Sequence, residues 1–270
     1  MSRSTHVEEG ALSKAQEYGF DRLPRLVGEP LTAVAMLRRV GLRPTAAHMR
    51  TIGLIRALDL LDDRRRRARF VASSPEAMHS QESDLRLCAA GEADAAVHCA
   101  PVPAATLVWS FEGLGLALER FHFVDVGSGW GYALRVAADL PFRHLTGIEF
   151  AKTFHDMAVA NFAAFAARGE VAQERVSLLH ESALESDLPR EPLVVLLANP
   201  FGPAVMRPFV ERLRESVRAD PRPVEVVYVN PKHPDLFEAP DIRERNLDPR
   251  ASRRVRALSP YGVRVYSFGT

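Results

Sequence analysis

Cysteine is scarce in this chain of 270 residues, which has Cys88, Cys99 and no others. Neither belongs to a Cys-x-x-Cys pair or to a histidine-rich cluster that could complete the four ligands of a zinc ion. The sequence therefore predicts no metal site. We expect both cysteines to be small residues in or near a core; a redox or substrate role for Cys99 is the alternative.

Long apolar runs are also missing. No stretch approaches the roughly 18 apolar residues that a membrane-spanning helix needs, and the polar start of the chain lacks the hydrophobic region of a signal peptide. The hydrophobic fraction is nevertheless 47%, which is enough for a full core at this length. We expect a cytoplasmic protein with no membrane partner.

A large excess of charge of one sign is absent, because the formal net charge is +1. The chain as a whole therefore has no strong attraction to nucleic acid. The local exception is a run of arginines, namely Arg64, Arg65, Arg66, Arg67 and Arg69. Because the run follows two aspartates, it favours a solvated helix end at which cations oppose the helix dipole. A patch for an anionic substrate or a nucleic acid is the alternative.

The strongest signal is a run of apolar residues that breaks directly into Gly127, Gly129 and Gly131. Glycines at this spacing let the backbone turn sharply and approach a ligand closely. Their pattern is G-x-G-x-G, whereas a dinucleotide fingerprint reads G-x-G-x-x-G. Asp125 would repel a pyrophosphate but suits a ligand that carries an ammonium group. S-adenosylmethionine has that group and a sulfonium, so the motif favours it and leaves NAD as a remote option.

A second acidic residue lies where a nucleoside cofactor needs one. Residues 144–149 read as a strand that ends in Glu149, and residues 132–140 before it have helical spacing up to Pro141. A β-helix-β unit places the second strand beside the first. Glu149 is therefore predicted to accept hydrogen bonds from both ribose hydroxyls at the carboxyl edge of the sheet.

Three segments together resemble a known family: Val-Asp-Val-Gly-Ser-Gly-Trp-Gly at 124–131, Thr-Gly-Ile-Glu-Phe at 146–150 and Leu-Ala-Asn-Pro-Phe-Gly at 197–202. The chain resembles the class I S-adenosylmethionine-dependent methyltransferases over about residues 104–270, and most of all bacterial ones of unassigned substrate. The resemblance implies an α/β fold with a doubly wound, mostly parallel seven-stranded sheet. It also implies an antiparallel last strand and a cofactor across the carboxyl ends of the first strands.

The rest of the chain can be read against that fold. Apolar runs predict strands at residues 175–180, 193–198 and 224–230. Helices are predicted between them, at 151–168 and 203–218. The pattern near the end predicts an antiparallel hairpin of residues 253–258 and 262–268 around the turn at 259–262.

The first hundred residues carry little strand signal. Apolar residues at spacings of three and four predict amphipathic helices at 31–40 and 45–61. We therefore divide the chain into a mainly helical extension, residues 1–103, and a methyltransferase domain, residues 104–270. The resemblance implies that the extension covers the cofactor mouth and contacts the substrate; packing on the sheet edge or on a second subunit is the alternative.

The resemblance and the glycine motif together give a set of expected cofactor contacts. These are Asp125, Gly127, Ser128, Gly129, Trp130, Gly131, Glu149, Phe150, Glu181, Ser182, Asn199, Pro200 and Phe201. Either Glu181 or Ser182 would accept a hydrogen bond from the adenine amino group. Trp130 would wall the methionine end or pack on the neighbouring helix.

The acceptor side is expected near the ends of strands four and five. Asn199 can accept a hydrogen bond from an amine, Phe201 can stack on a flat group, and His233 is the best-placed general base. We expect methyl transfer to a small molecule or to a protein side chain. The alternatives are an RNA methyltransferase that uses the basic run from Arg64 to Arg69 as a phosphate clamp, and an inactive S-adenosylmethionine-binding protein.

Overall fold

The computed structural model describes residues 62–63, 65–71, 101–198 and 200–269. The helices predicted at 31–40 and 45–61, both cysteines, Arg64 and Asn199 lie outside the described residues. The boundary between the extension and the domain stays a prediction.

Seven strands and five α-helices lie in the described residues from 101 onward. The strands are β1 (His122–Val126), β2 (His144–Glu149), β3 (Val176–His180), β4 (Leu193–Leu197), β5 (Val224–Val229), β6 (Ile242–Arg245) and β7 (Val263–Phe268). The helices are α1 (Ala104–Glu112), α2 (Tyr132–Ala138), α3 (Lys152–Ala167), α4 (Pro203–Ala219) and α5 (Pro249–Leu258). The strands and helices predicted between residues 132 and 230 are confirmed, with ends that differ by one or two residues.

All seven strands form one sheet in the order β3-β2-β1-β4-β5-β7-β6. β1 to β5 are mutually parallel, and β7 runs antiparallel between β5 and β6. The parallel strands share their carboxyl ends, so the loops after β1, β2, β4 and β5 gather along one edge. The predicted fold class, a mostly parallel seven-stranded sheet with an antiparallel last strand, is confirmed.

The predicted hairpin near the end of the chain is wrong in its first strand. Residues 253–258 belong to α5, and the strands that pair with β7 are β5 and β6. Asp248 begins this helix by accepting hydrogen bonds from the N–H groups of Arg250 and Ala251, at 2.7 and 3.0 Å. Ala251 and Val255, one helical turn apart, are its buried residues. The capping aspartate and this spacing outweigh the strand preference of the valine.

Each face of the sheet is covered by its own hydrophobic core. On one face, α1, α2 and α5 bury residues such as Phe111, Leu134 and Val255 against Phe123 and Leu196 of the sheet. On the other face, α4 buries its apolar side, including Met206 and Phe209, against β4 and β5. β4 and β5 are buried at every position, which is typical of central strands with both faces covered.

None of the helices in the described part of the chain combines the length and hydropathy needed to cross a bilayer. The same residues contain no group of three or more His, Cys, Asp or Glu side chains placed to hold a metal ion.

Candidate cofactor site

A sharp loop joins β1 to α2 at the carboxyl edge of the sheet. Its glycines, Gly127, Gly129 and Gly131, have φ angles of +72°, +53° and +87°, a region that other residues enter only at an energetic cost. The N–H groups of Gly127 and Ser128 both donate to the Ile148 carbonyl, at 2.9 and 3.0 Å. These bonds fasten the loop to β2.

Neighbouring side chains pack closely against two of the glycines in this loop. A Cβ atom on Gly127 would lie 2.7 Å from the Cβ of Pro200, and one on Gly131 would lie 2.9 Å from the ring of Phe162. Both separations are far below van der Waals contact. The structure therefore places Pro200, which follows β4, directly against the glycine loop.

Asp125 lies just before the loop, near the carboxyl end of β1. It is 3% exposed, and no described residue donates a hydrogen bond to its carboxylate. Burial, together with the nearby charge of Glu149, raises the pKa of Asp125 to about 7. A carboxylate in this environment is stabilised by a cation, and the described residues bring none to it.

Glu149, at the end of β2, is held in place by the backbone. Its Oε2 accepts a hydrogen bond from the Gly129 N–H at 2.8 Å, and its Oε1 accepts one from the Ala151 N–H at 2.8 Å. Burial raises the pKa of Glu149, and these backbone donors act in the opposite direction. Each carboxylate oxygen keeps a lone pair that can accept a ligand hydroxyl.

The residues expected beside adenine follow β2 and β3. Phe150 is partly buried, Ser182 is partly exposed and Glu181 is exposed. The Ser186 hydroxyl donates to Glu181 Oε2 at 2.7 Å, and Ser182 Oγ accepts from the Leu184 N–H at 3.2 Å. Both candidate acceptors are thus tied into one turn after β3.

A histidine pair stands at the same edge and was missed by the sequence reasoning. The rings of His155 and His180 stack with centroids 5.3 Å apart, and His180 Nε2 lies 3.0 Å from the Phe150 carbonyl oxygen. Burial and the neighbouring His180 lower the pKa of His155. Their spacing in the chain carries no periodic signal, because α3 and β3 meet only in the folded protein.

The acceptor-side residues occupy different environments. Phe201 is 8% exposed and packs edge to face on Phe209 of α4, with ring centroids 6.1 Å apart. Its ring therefore lies in the core on the α4 face of the sheet. Pro200 is partly buried against the glycine loop. The role of Asn199 stays a prediction.

The turn after β5 carries His233 and has an unusual backbone. Asn230 has a φ of +52°. Among the described residues, it is the one non-glycine residue with a positive φ. The N–H groups of Lys232 and His233 donate to the Tyr228 hydroxyl at 3.2 and 3.3 Å. His233 is partly exposed, and its role as a base stays a prediction. Backbone strain of this kind often marks a functional turn.

Trp130 connects the glycine loop to a segment from the first hundred residues. Its ring meets that of Phe70 edge to face at 4.6 Å. Asn161 of α3 donates to the Trp130 carbonyl at 3.0 Å and accepts from the Val71 N–H at 3.0 Å. The indole is thus packed between this segment and Tyr132, whose ring lies 5.5 Å from it.

Asp63 is the centre of the same contact and was not singled out from the sequence. It is 5% exposed. It accepts hydrogen bonds from the Ala104 N–H at the start of α1 at 3.0 Å, from the Tyr132 hydroxyl, and from Arg67 at 2.6 Å. The sequence does not indicate that Asp63 is buried, because an aspartate beside an arginine run has the same sequence pattern whether it is buried or exposed.

Most of the described arginines in the run are neutralised by acidic side chains. Three of its members form ion pairs with acidic side chains: Arg66 with Asp62 and Asp139, Arg67 with Asp63, and Arg69 with Glu170, at 2.6–2.9 Å. These contacts tie the segment to α2 and to the loop after α3. They leave little charge free for a phosphate clamp.

Comparison with known proteins gives likeness in structure only. No family model matches the chain, and no curated protein matches it. An RNA methyltransferase from Salinibacter ruber, solved with S-adenosyl-L-homocysteine, is similar at 22% sequence identity and a TM-score of 0.39. The match covers 63% of this chain and 92% of that protein. A ribosomal protein L11 methylase from Lactobacillus delbrueckii is similar at 13% sequence identity and a TM-score of 0.40. The match covers 61% of this chain and 78% of that protein.

The fold assignment rests on the sheet itself, since both TM-scores are below 0.5. The strand order has β1 and β4 at its centre and the reversed β7 between β5 and β6. A glycine loop follows the first strand, and a buried acid ends the second. The chain has the class I S-adenosylmethionine-dependent methyltransferase fold.

Proposed function

We propose that this chain is an S-adenosylmethionine-dependent methyltransferase. The observation that carries the proposal is Asp125, a buried carboxylate beside the buried carboxylate of Glu149, with no hydrogen-bond donor from any described residue. Two such groups at the mouth of a glycine loop favour a ligand that brings positive charge and hydroxyl groups together.

S-adenosylmethionine fits these residues in its chemistry. Its ammonium group would be bound by Asp125, and its ribose hydroxyls by the oxygens of Glu149 that the backbone of Gly129 and Ala151 orients. The three glycines of the loop let the ligand lie against the backbone. A dinucleotide fits less well, because Asp125 would repel its pyrophosphate.

When bound, this cofactor supplies a methyl group on a sulfonium, which a nucleophile attacks in line as the carbon–sulfur bond breaks. The contribution of the protein is mainly to hold the two reactants close and aligned. The turns after β4 and β5, with Asn199, Pro200 and His233, border the side on which an acceptor would lie. His233 would take a proton if the nucleophile arrives protonated.

The experiment that tests the proposal is calorimetric titration of the chain with S-adenosylmethionine, S-adenosylhomocysteine and NAD. We expect the first two to bind and NAD not to bind. Asp125→Ala and Glu149→Ala should each weaken binding by about 1–3 kcal/mol, the range for losing a hydrogen bond to a charged group. Unchanged affinity in both variants, or binding of NAD alone, would contradict the site assignment.

Turnover decides between an enzyme and a protein that only binds the cofactor. Asn199→Ala should slow methyl transfer with little loss of cofactor affinity if Asn199 contacts the acceptor. Equal losses of rate and affinity would place Asn199 in the cofactor pocket instead. Tight binding without transfer to any acceptor class would favour the inactive alternative.

A further inference from the structure

The positive charge of this nearly neutral chain is concentrated near its end. Residues 242–264 contain seven arginines and two acidic residues, a net charge of +5, whereas the whole chain has a net charge of +1. The segment comprises β6, α5 and the beginning of β7. The arginines are Arg243, Arg245, Arg250, Arg253, Arg254, Arg256 and Arg264.

Three of the four arginines of α5 are exposed to solvent. The helix buries Ala251 and Val255, while Arg250, Arg253 and Arg256 are exposed. None of these three forms an ion pair with a described residue, in contrast to Arg66, Arg67 and Arg69. Arg254 lies 6.0 Å above the ring of Trp109 in a cation–π contact. This helix therefore presents unneutralised guanidinium groups to solvent.

The two acids of the segment are already engaged. Asp248 caps α5 by accepting from the backbone of Arg250 and Ala251. Glu244 pairs with Arg264 at 3.4 Å. Neither acid neutralises the exposed arginines of the helix.

A cleft adjoins this helix. It has a volume of about 300 Å³ and lies between β6, α5 and β7, with Arg256, Tyr261 and Arg264 among its lining residues. The turn that carries Tyr261 is fixed by Ser259, whose hydroxyl donates to the Tyr261 carbonyl at 2.8 Å. Tyr261 is partly buried against the core and partly exposed. Basic groups beside an aromatic ring are typical of surfaces that bind single-stranded nucleic acid.

The cleft reaches the carboxyl edge of the sheet, where the cofactor site lies. Gly262, one of its lining residues, accepts a hydrogen bond from the Asn230 N–H at 2.8 Å. Asn230 begins the turn after β5 on which His233 lies. A chain bound along α5 would therefore lead toward the acceptor side of the proposed active site.

We propose that α5 and this cleft bind the phosphate backbone of a single-stranded nucleic acid that carries the methyl acceptor, an inference that rests on the proposed function. The arginines would contact phosphates, and Tyr261 would stack on an unpaired base. A membrane surface fits less well, because α5 buries Val255 and exposes no large apolar side chain fully, only Ala257 and part of Leu258. This binding surface replaces the run from Arg64 to Arg69, whose described members are mostly paired.

The test uses the full chain without cofactor and fluorescently labelled RNA and DNA strands of about 20 nucleotides. Anisotropy gives the dissociation constant at several salt concentrations. Arg250→Gln, Arg253→Gln and Arg256→Gln together should weaken binding at least tenfold at about 0.1 M salt. The slope of log affinity against log salt should fall by about 2, the value for three lost phosphate contacts on a single strand.

The matched control removes three other exposed arginines that have no ion-pair partner among the described residues. It combines Arg120→Gln, Arg190→Gln and Arg207→Gln. The two triple variants have the same net charge, so a local site predicts that the control stays within about twofold of the unmodified chain. Equal weakening in both variants would overturn the proposal in favour of a general charge effect.

Tyr261 tests the stacking part of the proposal. Tyr261→Ala should weaken binding about fivefold or more, and Tyr261→Phe, which keeps a ring, should leave it unchanged. Polyglutamate of equal charge should compete poorly; competition as strong as that of the oligonucleotides would overturn the proposal in favour of an acidic protein. Preference for RNA or for DNA supports the proposal in either case and identifies the sugar.

Failure of this inference can be told apart from failure of the proposed function. The α5 triple variant should bind S-adenosylmethionine in calorimetry as the unmodified chain does. If the unmodified chain binds oligonucleotides through α5 and does not bind the cofactor, the proposed function fails and the surface stands. If it binds the cofactor but no oligonucleotide, the surface fails alone.

Discussion

Asp125 and Glu149 are two similar acids that have different environments in the candidate site. Both are acids at the ends of neighbouring strands, and both are almost fully buried. Glu149 has two backbone donors, whereas no described residue donates to Asp125. Burial raises the pKa of both acids, but only Glu149 has backbone donors that oppose this effect. The charge of Asp125 therefore depends on a ligand.

The protonation of Asp125 predicts how cofactor binding depends on pH. Burial and the charge of Glu149 raise its pKa from 3.8 to about 7, and a bound ammonium group would lower it again. Below pH 7, binding should release a proton, and affinity should rise up to about tenfold per pH unit before levelling off above pH 7. Calorimetry in buffers of different ionisation enthalpy measures both quantities.

Asp125→Asn is the control for this prediction. It keeps the shape of the side chain and removes the titration, so its binding should be weaker and nearly independent of pH between 5 and 7. The same raised pKa makes the free protein lose stability as pH rises from about 4 toward 7, because the folded chain then holds a proton that the unfolded chain has released. An unaltered pH profile in the variant would assign the titration to another group.

Gly127 predicts a stability difference between two glycines. Both Gly127 and Gly115 have positive φ, +72° and +64°, but a Cβ on Gly127 meets Pro200 at 2.7 Å while one on Gly115 meets nothing within 4 Å. Gly115→Ala should cost about 1 kcal/mol of unfolding free energy, and Gly127→Ala about 2–4 kcal/mol. Urea unfolding measures both; equal costs would show that the contact with Pro200 can relax.

At the scale of elements, the contact between residues 62–71 and the glycine loop joins two parts of the sequence that are far apart. Asp63 binds the start of α1 and the first residue of α2, and Asn161 of α3 connects Val71 to Trp130. The helix that follows the glycine loop is thus held from outside the loop.

Asp63 predicts a large loss of stability from one substitution. Asp63→Ala leaves the Tyr132 hydroxyl and the Ala104 N–H without their acceptor, and should lower the free energy of unfolding by about 2–4 kcal/mol. Asp62, its neighbour, has a side chain that is 56% exposed and, among the described residues, pairs with Arg66 alone. Asp62→Ala should therefore change stability by less than about 0.5 kcal/mol. Similar losses in a denaturant titration would mean that Asp63 is not the anchor.

The elements also show where sequence reasoning succeeded and failed. β4 and β5 were predictable because their apolar runs, interrupted in β5 only by Glu225, are typical of buried parallel strands. α5 was taken for a strand because its four arginines hide a two-residue apolar stripe, Ala251 and Val255. β6 was missed because its residues, Ile-Arg-Glu-Arg, are mostly charged, as befits an edge strand.

At the scale of the whole molecule, protection should vary systematically across the sheet. β4 and β5 are buried at every residue, whereas β3 at one edge has only partly buried and exposed positions. Hydrogen exchange should therefore be slowest in β4 and β5, by a protection factor at least about a hundredfold above that of β3. Mass spectrometry of peptic fragments measures this gradient; uniform protection would indicate a single cooperative unit.

The fold and half of the candidate site could be predicted from the sequence because both depend on local patterns. The glycine loop, Asp125 and Glu149 are local signals, each readable from a strand and its end. Asp63, Asn161 and the pair of His155 with His180 act through contacts between distant segments, which no periodicity encodes. The neutralisation of Arg66, Arg67 and Arg69 likewise depends on acids that the fold brings near.

The position of β7 has a consequence for synthesis on the ribosome. β6 emerges before β7 and has no other strand partner, so it cannot join the sheet until β7 follows. Until then β5, whose six residues are all buried in the finished protein, has an open edge along which another nascent chain could pair.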